Sequence, residues 1–257
     1  MPDADLTSRP LLTVVAAVLN EEENIGPVCA EMAEALAPLR PFEVVFVNDG
    51  STDNTLGALL AARAMLPELR VLSHDRRCGK TASLRTGIEA ARGEWIATID
   101  GDGQDDPREI LPMLAMAQEG WGEAIRANRP RGAGPLVVGV RHKRNDNLSR
   151  RFATRFANGL RRRLLNDDCP DTGAPMKLFR RDDFLRLPPF EGLHRFLPAL
   201  FRHYGSPLLL KPVHHRARLH GRSKYTNLNR AVVGIRDTMG VMWLRNRIRR
   251  PDQVTES

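Results

Sequence analysis

Long apolar runs, separated by polar residues that favour helix starts, dominate the first half of the chain. The pattern of Leu12–Leu19, Glu43–Val47 and Glu94–Ile99 is nearly continuous rather than alternating, which is typical of strands buried on both faces. Acidic or hydroxyl residues follow the first two runs and indicate helix starts. We therefore predict helices at about 20–39, 54–65, 79–91 and 107–119, and a short strand at Arg70–Ser73.

This order of strands and helices predicts a mainly parallel sheet. Alternating segments form βαβ units, whose right-handed crossovers place helices on both faces of a doubly wound α/β fold. Ligands in such folds bind beyond the carboxyl ends of the strands. Polar clusters stand directly after three predicted strands, at Asn20-Glu21, Asn48-Asp49 and Asp100–Gln104. We expect these clusters to form one site at that edge of the sheet.

The second half of the chain is less regular. The predicted strands are Leu136–Val140, which ends at Arg141, then Met176–Phe179 and Leu208–His214. The predicted helices are Asn145–Leu165, His194–Tyr204 and Tyr225–Arg247. No internal repeat or clear linker is visible, so we predict a flexible tail at 1–10, one domain at 11–225 and a basic, amphipathic C-terminal helix at 226–257.

Composition limits the classes of binding partner and the cellular compartment that fit this chain. The chain has 257 residues and a net charge of +8, which suits a nucleic acid, an anionic lipid or a phosphate-bearing substrate. Cys29, Cys78 and Cys169 form no CxxC pair, so we expect neither structural zinc nor disulfides, and a reducing cytoplasm fits. The acidic N-terminus does not resemble a signal peptide, and no run approaches the roughly 20 apolar residues of a spanning helix.

Asp100 and Asp102 are the strongest candidates for chemistry. They leave the end of a buried strand one residue apart, so both carboxylates are expected on the same side. Such oxygen ligands suit Mg²⁺ or Mn²⁺, which complete their shell with substrate phosphates and water. An acidic turn that caps the next helix is the alternative, because a DxD pattern alone is weak. The position beside two other polar strand ends favours the metal site.

Two further strand-end features indicate nucleotide binding. Asp49 follows a buried strand and can accept a hydrogen bond from a base N–H, whereas Asp53 in the same turn is better explained as a helix cap. Gly79 and Lys80 stand at the head of a predicted helix, where backbone N–H groups and the lysine can hold an anion. The alternative for Gly79 and Lys80 is an ordinary surface pair with no ligand.

Several sequence strings together resemble a known family. The resemblance to family 2 glycosyltransferases, which have the GT-A fold, rests on VVAAVLNEEENI, VVFVNDGSTDNT and GKTASLRTGIEAARGEWIATIDGDGQDDP. A narrower resemblance rests on DTGAPMKLFRR, HRFLPAL and RARLHGRSKY. It is to the polyprenyl-phosphate branch, which includes dolichyl-phosphate mannose synthases and bacterial undecaprenyl-phosphate sugar transferases. The match covers about residues 12–245, and the motifs are specific as an ordered set.

The resemblance implies roles for individual residues. It identifies Asp100, Asp102 and Gln104 as metal and diphosphate ligands, Asp49 as the base-binding aspartate, and Asn20 and Glu21 as the nucleotide-facing turn. The residues implied for the acceptor phosphate are Arg141, Ser149, Arg150, Ser223 and Lys224. Arg216 and Arg218 are implied, with Asp102, as catalytic, because they match a basic loop that closes over the donor and acceptor phosphates.

Two positions depart from the family pattern, and three others are further candidates for chemistry. Ala17 stands where the family usually has proline, which should only loosen the first turn. Asn48 stands where aspartate is frequent, which removes a charge near the nucleoside and leaves the base preference undecided. Asp171 would act as a base only for a hydroxyl acceptor, and we favour a turn residue. His194 and His215 can titrate usefully, but such histidines are more often structural.

The family mechanism implied for this chain is a direct displacement that inverts the anomeric centre. A divalent cation on Asp100 and Asp102 would neutralise the leaving nucleoside diphosphate, and Arg216 and Arg218 would add charge-assisted hydrogen bonds. An acceptor phosphate is already anionic near neutral pH, so it needs no strong general base. Catalysis would then rest on positioning and electrostatics.

Basic and amphipathic segments indicate contact with a membrane surface. The helix predicted at Asn145–Leu165 carries Arg150, Arg151, Arg155 and Arg161–Arg163. We favour contact with anionic lipid heads over a solvated face, and the absence of a binding motif argues against nucleic acid. One apolar stripe of the last helix comprises Leu228, Val232, Ile235, Met239 and Met242, followed by Trp243 and a basic end. This pattern is typical of a helix in a membrane interface, although its first half equally fits a core-facing helix.

These features predict a cytoplasmic protein bound peripherally to the inner face of the membrane. Many members of the resembled family continue into spanning helices, whereas this sequence ends at Ser257. A separate membrane protein partner is therefore a further expectation. Nucleic acid is not expected as a partner.

The function predicted from the sequence is metal-dependent, inverting transfer of a hexose such as mannose to a polyprenyl phosphate, either dolichyl or undecaprenyl phosphate. The donor would be GDP-mannose or a UDP-hexose. A transferase acting on a polysaccharide is the alternative in the same class. A nucleotide-sugar-binding scaffold and a nucleic-acid binder are the non-enzymatic alternatives, and the intact set of Asp100, Asp102 and Gln104 argues against the scaffold. The sequence does not decide the sugar, the base, the lipid or the oligomeric state.

Overall fold

One sheet organises the chain. The computed structural model describes residues 9–126, 134–141, 164–217 and 227–248. Its strands are β1 (Leu12–Val18), β2 (Glu43–Asn48), β3 (Leu69–Ser73), β4 (Trp95–Asp100), β5 (Leu136–Arg141), β6 (Lys177–Arg180) and β7 (Leu208–Val213). They form a seven-stranded sheet in the order β3-β2-β1-β4-β6-β5-β7.

Helices connect the strands and precede or follow three short 3₁₀ turns. The helices are α1 (Glu22–Leu36), α2 (Thr55–Ala62), α3 (Lys80–Ala90), α4 (Ile110–Arg126), α5 (Arg181–Leu185), α6 (Leu197–His203) and α7 (Asn227–Arg247). The 3₁₀ turns are Ala37–Leu39 after α1, Pro107–Glu109 before α4 and Leu193–Arg195 before α6. α1 opens with Glu22 and Glu23, whose negative charge is favourable at the positive end of the helix dipole.

Strand directions bring polar segments from distant parts of the sequence to one edge of the sheet. β1 pairs in parallel with β2 and β4, and β2 pairs in parallel with β3. β6 runs antiparallel to both β4 and β5, whereas β7 is parallel to β5. β5 and β7 therefore run in the same direction as β1, β2 and β4. Their carboxyl ends share an edge with the amino end of β6, and Asn20, Asp49, Asp100, Arg141 and Arg216 all stand there.

Apolar side chains cover both faces of the sheet. Along β1, Val14, Ala16 and Val18 pack into the core beneath α1, α2 and α4, whereas Val15 packs into the opposite core with α3 and α6. Successive side chains of a strand point to opposite faces. A strand buried on both faces is therefore apolar at nearly every position, which is the pattern that predicted β1. The doubly wound α/β fold with helices on both faces is confirmed.

Several predicted elements differ from the structure in extent. α4 continues to Arg126, beyond the end predicted at Glu119, and α5 was not predicted. Most of the helix predicted at Asn145–Leu165 lies outside the described residues. The predicted division into a tail at 1–10, a domain at 11–225 and a helix at 226–257 stays a prediction.

The terminal helix α7 packs on the domain along one side. Val241 is buried in the core that contains α3 and α6, and Met242 packs against the same cluster. Met239 and Trp243, in contrast, are 64% and 61% exposed. The single apolar stripe predicted for this helix therefore divides in its described part, because Met242 faces the domain while Met239 faces solvent. The side chains of Leu228, Val232 and Ile235 lie outside the description.

Within the described residues, no helix combines the length and the apolarity needed to cross a bilayer.

The buried Asp183 side chain gives the fold a pH-dependent contact. Its Oδ2 accepts a hydrogen bond from the Gly134 N–H at 3.1 Å, and the Arg186 guanidinium lies 3.4 Å from Oδ1. Burial raises the pKa of Asp183 to about 6, although Arg180 and Arg186 oppose the shift. Since the pKa is higher in the folded state, the contribution to stability is complete below about pH 4 and is lost as the pH rises through about 6.

The substitution Asp183→Asn is expected to remove this pH dependence. Asparagine is neutral at every pH and keeps an oxygen for the Gly134 N–H. Relative to the parent, the free energy of unfolding of the variant should rise by about 2 kcal/mol between pH 4 and pH 7. Urea unfolding at the two pH values measures this difference. Asp182→Asn is the matched control because the Asp182 side chain is 65% exposed, and equal pH profiles for the two variants would contradict the assignment.

Candidate active site at the carboxyl edge of the sheet

Asp49 holds the loop that precedes α3. It is 4% exposed. Its Oδ1 accepts hydrogen bonds from His74 Nδ1 and the Cys78 N–H, both at 2.8 Å, and its Oδ2 accepts from the Gly79 N–H at 2.8 Å. Burial raises the pKa of Asp49, but the hydrogen bonds outweigh burial, so the pKa lies below its ordinary value. The carboxylate is ionised and engaged by the protein, and its contact with a base stays a prediction.

Glycine at two positions allows this loop to approach the end of β2. Gly50 has φ 68°, and a Cβ atom there would lie 2.6 Å from the carbonyl carbon of Arg76. Gly79 has φ 92° and is the N-cap residue of α3. Both positive φ angles favour glycine over residues with a side chain. The close approach sets the place of Lys80, the first residue of α3.

Lys80 and Asp100 form an ion pair between the head of α3 and the end of β4. The lysine side chain is 30% exposed and the aspartate side chain 32% exposed. The anion site and the metal carboxylate that the sequence predicted separately are therefore neighbours. A diphosphate bound at this position would meet an ammonium group and a helix N-terminus together.

The acidic loop after β4 folds back on itself. Asp102 is 7% exposed, and its Oδ1 accepts the Gln104 N–H at 3.2 Å. Asp105 is 3% exposed, with Oδ2 accepting the Asp100 N–H at 3.2 Å and Oδ1 lying 3.3 Å from His215 Nδ1. Burial raises the pKa of Asp105, and the negative charge of Asp100 adds to the effect. Asp102 is thus buried within its own loop, and Asp105 is a structural member of the loop that sequence reasoning missed.

The donor set of this loop fits a hard divalent cation. Asp100 and Asp102 leave one strand end with carboxylate oxygens, which Mg²⁺ and Mn²⁺ prefer. Asp100 already pairs with a positive group, the Lys80 ammonium, which a bound cation would have to share or replace. The amide nitrogen of Gln104 donates to the Arg216 carbonyl oxygen at 3.2 Å, so its Oε1 is the oxygen that it would offer to a cation. Asp100, Asp102 and Gln104 are the residues that would hold the cation.

A separate group of metal-ligand side chains lies beside the predicted nucleoside site. Ligand atoms of Asp49, His74 and Cys78 lie within 4.8 Å of one another, the only such group of three in the described part of the chain. The Asp49 oxygens already accept two backbone N–H groups, and His74 Nε2 lies 3.0 Å from Thr86 Oγ1. Hydrogen bonds therefore account for this group, and we assign it to the loop rather than to a metal centre.

Asn20 and Glu21 join the turn after β1 to the turn after β2. The Asn20 N–H donates to Ser51 Oγ at 2.9 Å, and Asn20 Oδ1 accepts the Thr52 N–H at 2.8 Å. The Glu21 N–H donates to Thr55 Oγ1 at 2.9 Å. The two predicted nucleotide-facing residues are thus held beside Asp49 by the β2 turn, while their contact with a nucleotide stays a prediction.

Arg141 and Asp171 form a partly buried, bidentate ion pair. Arg141 Nε and Nη2 donate to the two carboxylate oxygens of Asp171 at 2.7 and 2.8 Å, and the side chains are 12% and 11% exposed. Burial lowers the pKa of Arg141, but Asp171 outweighs burial and the pKa is raised. An aspartate paired in this way is poorly suited to accept a proton, which favours the turn residue over the general base for Asp171.

Lys177 is a buried cation of the site that sequence reasoning did not single out. It is 3% exposed and donates to the Ala174 carbonyl oxygen. Burial lowers the pKa of Lys177 to about 8, and the nearby Lys80 charge acts in the same direction. The available sequence signal was a lysine at the start of a buried strand within DTGAPMKLFRR, since a lysine is almost never buried without a partner.

His194 is hydrogen-bonded in the protein interior. Thr81 Oγ1 accepts the Gly192 N–H at 3.0 Å and lies 2.8 Å from His194 Nδ1. Burial lowers the pKa of His194 well below its ordinary value, and the Lys80 and Lys177 charges add to the shift. The imidazole is therefore neutral at physiological pH, which agrees with the structural role favoured from the sequence.

Arg216 faces α1 rather than open solvent above the strand ends. Its Nη1 and Nη2 donate to the two carboxylate oxygens of Glu31 at 2.9 and 2.7 Å. These hydrogen bonds raise the pKa of Arg216. The guanidinium is thus engaged by a helix that the sequence did not connect with it, and the catalytic role of Arg216 stays a prediction.

Five predicted site residues lie outside the described residues: Ser149, Arg150, Arg218, Ser223 and Lys224. Their acceptor-phosphate and catalytic roles stay predictions.

Comparison with known sequences identifies the relatives of this chain. The family model described as glycosyl transferase family 2 matches residues 13–187. Dodecaprenyl-phosphate galacturonate synthase of Rhizobium johnstonii is 33% identical over 249 residues, which are 93% of this chain and 69% of the relative. Undecaprenyl-phosphate 4-deoxy-4-formamido-L-arabinose transferase of Yersinia enterocolitica is 30% identical over 219 residues, 84% of this chain and 62% of the relative. The chain therefore spans about two thirds of these proteins.

Solved structures share the architecture. Glucosyl-3-phosphoglycerate synthase of Mycobacterium tuberculosis, in complex with Mg²⁺ and uridine diphosphate, has a TM-score of 0.62 at 20% identity, covering 93% of this chain and 80% of that chain. A mannosyltransferase of Pyrobaculum calidifontis, in complex with GDP-Man and Mn²⁺, has a TM-score of 0.55 at 21% identity, covering 84% and 59%. At these identities the likeness concerns the fold, and the predicted GT-A fold is confirmed.

Proposed function

We propose that this chain, which belongs to glycosyl transferase family 2, transfers a sugar from a nucleotide sugar to a polyprenyl phosphate. The observation that carries the proposal is the pairing of Asp100, at the end of β4, with Lys80, at the head of α3. This arrangement provides carboxylate ligands for a cation next to a helix N-terminus that favours phosphate. Relatives named for dodecaprenyl and undecaprenyl phosphate support the acceptor.

The described residues have different roles in binding the donor. Asp49 orders the loop before α3 and so places Lys80 against the donor diphosphate. Asp100, Asp102 and Gln104 would hold Mg²⁺ or Mn²⁺, which supplies Lewis-acid neutralisation of the leaving diphosphate. The negative charge of the leaving diphosphate would thereby be neutralised by Lys80 on one side and by the cation on the other.

The acceptor side depends on positive charge rather than on a general base. A phosphate monoester is anionic near neutral pH, so attack on the anomeric carbon requires no proton transfer from the nucleophile. Two described cations lie on this side of the site. Arg141, which is paired with Asp171, ends β5, and the buried Lys177 begins β6. Preorganised charges of this kind stabilise the transition state without reorganisation, and direct displacement would invert the anomeric centre.

The proposal extends to the identity of the transferred sugar and of the nucleotide base of the donor. A hexose such as mannose, from GDP-mannose or a UDP-hexose, is what the sequence predicted. The names of the relatives specify galacturonate and 4-deoxy-4-formamido-L-arabinose, and these names do not favour mannose. A nucleotide-activated uronic acid or formamido sugar therefore joins the candidate donors.

Transfer assays with defined donors and acceptors test the proposed function. GDP-mannose, UDP-glucose and UDP-galacturonate are each incubated with a short polyprenyl phosphate and Mn²⁺ or Mg²⁺, and the lipid product is separated by chromatography. We expect EDTA-sensitive transfer from one donor, and the same donor should raise the melting temperature in the presence of the metal. Transfer only to free glycans would favour the polysaccharide alternative, and nucleotide-sugar binding without any turnover would favour the scaffold.

We further propose peripheral binding to the cytoplasmic face of a membrane through α7. Among the described side chains of this helix, Met239 and Trp243 are the most exposed large apolar ones, and they lie one helical turn apart. The Arg247 guanidinium lies 5.5 Å from the centroid of the Trp243 ring. An exposed tryptophan next to arginines suits the boundary between lipid heads and acyl chains. A separate membrane protein partner remains a prediction from the sequence.

The double substitution Met239→Ser and Trp243→Ala is expected to weaken vesicle binding about tenfold, because apolar area is lost from the membrane-facing side. Co-sedimentation with vesicles containing phosphatidylglycerol measures the effect. Met65→Ser is the matched control, since Met65 is also exposed, at 47%, but lies after α2. Equal binding by the double variant and the control would show that α7 is not the contact.

A further inference from the structure

We infer that Glu31 is a positioning residue of the transfer site, which acts through Arg216 to fix the segment after β7 against the acidic loop after β4. The inference rests on the proposed function for its role in catalysis. Glu31 lies on α1, far in sequence from the residues that it organises, and no sequence motif identified it. The contacts that carry the inference form a continuous connection from α1 to Asp100.

The first link is the ion pair itself. Both terminal nitrogens of Arg216 donate to Glu31, at 2.9 and 2.7 Å, and Nη2 also donates to the Asp105 carbonyl oxygen at 3.3 Å. The two side chains are 32% and 31% exposed. Asp106 Oδ1 lies farther from the guanidinium, 3.8 Å from Nη2. A bidentate pair fixes the orientation of the guanidinium plane as well as its distance. Arg216 is therefore held between α1 and the acidic loop.

The second link is formed by the backbone next to Arg216. Its N–H donates to the Gln104 carbonyl oxygen at 2.8 Å, and Gln104 Nε2 donates to the Arg216 carbonyl oxygen at 3.2 Å. One residue earlier, His215 forms an isolated antiparallel bridge with Asp105. Asp105 in turn accepts the Asp100 N–H. Movement of Arg216 would thus be transmitted to both Gln104 and Asp100, two of the residues proposed to hold the cation.

Topology explains why the segment after β7 requires an anchor. Among the described strands, β7 lies at the edge of the sheet and pairs with β5 alone. Beyond Val213 the segment has left the sheet, so contacts with other elements must fix its position. An anchor at Arg216 therefore fixes the described part of this segment beside the proposed donor site.

A rival interpretation makes the opposite prediction. If Arg216 is itself a ligand of the donor diphosphate, Glu31 competes with the donor for the guanidinium. Removal of the Glu31 charge would then release Arg216 and leave donor affinity equal or higher. If Glu31 is a positioning residue, its loss should be as harmful as the loss of Arg216, because either change breaks the same link.

A double-mutant cycle with a charge swap separates these interpretations. The variants are Glu31→Gln, Arg216→Gln, the combination of both, and the swap of Glu31→Arg with Arg216→Glu. Calorimetry gives the Kd of UDP and of GDP in the presence of Mn²⁺, and transfer assays give kcat and KM for the donor. Nucleotide affinity does not require the lipid acceptor, so an error in the proposed acceptor leaves this test intact.

We expect each single variant to lower nucleotide affinity and kcat/KM roughly tenfold to a hundredfold, as loss of alignment at a transfer site does. The double variant should be no worse than either single variant, because the two residues act as one unit. The charge swap should restore part of the lost affinity, since the pair can form in reverse, although a carboxylate at position 216 would lie near Asp106 and cannot donate to the Asp105 carbonyl oxygen. Glu34→Gln, at an exposed position of α1, should match the parent.

The contrary outcome is equally specific. Unchanged or tighter nucleotide binding by Glu31→Gln, together with weaker binding by Arg216→Gln, would overturn the inference in favour of a diphosphate-binding Arg216. A melting-temperature loss with normal affinity in both single variants would reduce the pair to a purely stabilising contact.

Discussion

Asp102→Asn is expected to lower kcat/KM for sugar transfer by about a thousandfold, equivalent to about 4 kcal/mol of transition-state stabilisation. Asp102 is 7% exposed at the turn that follows β4, where loss of a negative charge removes an oxygen ligand from the proposed cation. Asparagine retains an oxygen that can accept the Gln104 N–H, so the turn should keep its shape. Transfer rates at increasing Mn²⁺ concentration measure the effect, and part of the loss should be recovered at the highest concentrations.

Asp182→Asn is the matched control for this experiment because it makes the same chemical change away from the strand ends. The Asp182 side chain, on α5, is 65% exposed. We expect its transfer rate to stay within about threefold of the parent. A transfer rate for Asp102→Asn near that of the control, with an unchanged Mn²⁺ requirement, would exclude Asp102 as a metal ligand.

The strand ends of the site were predictable because a strand buried on both faces has a recognisable, almost continuously apolar sequence. β1, β2 and β4 are apolar at nearly every position, and the polar residues that end them interrupt the pattern abruptly. Parallel pairing then requires Asn20, Asp49 and Asp100 to share an edge. The direction of β6 could not be recognised from the sequence, because a short buried strand has the same composition whether it runs parallel or antiparallel. Its reversal is what brings Lys177 to this edge.

The hydrogen-bonding partners of the site residues were less predictable from the sequence than the positions of those residues. Asp49 and Arg216 were both identified from sequence motifs, but their partners were not. The Glu31 partner of Arg216 is separated from it by 185 positions, and no local pattern encodes a pair so distant. Helix α5 was missed for a different reason, since its five residues are too few to display helical periodicity. Local sequence therefore located the candidate groups, whereas the tertiary structure decided which of them hold one another.

Asp49→Ala is expected to weaken the binding of every nucleotide donor by about a hundredfold, because the loop that places Lys80 loses its support. The backbone N–H groups of Cys78 and Gly79 each donate to Asp49 at 2.8 Å, and alanine leaves both without this acceptor. Stability should fall by about 1–3 kcal/mol for the same reason. Calorimetric Kd values for UDP and GDP with Mn²⁺, measured well below the melting temperature, separate the loss of affinity from the loss of stability.

Asp49→Asn distinguishes loop support from base recognition. Asparagine provides one carbonyl oxygen in place of two carboxylate oxygens, so loop support predicts an intermediate loss that is equal for UDP and GDP. Recognition of a base N–H predicts an unequal loss, because the two bases present different hydrogen-bonding edges. Asp75→Asn, at an exposed position next to His74, should bind both nucleotides as the parent does. A change of more than about tenfold in the ratio of the two affinities would assign Asp49 to the base, since a loosened loop carries no information about base identity.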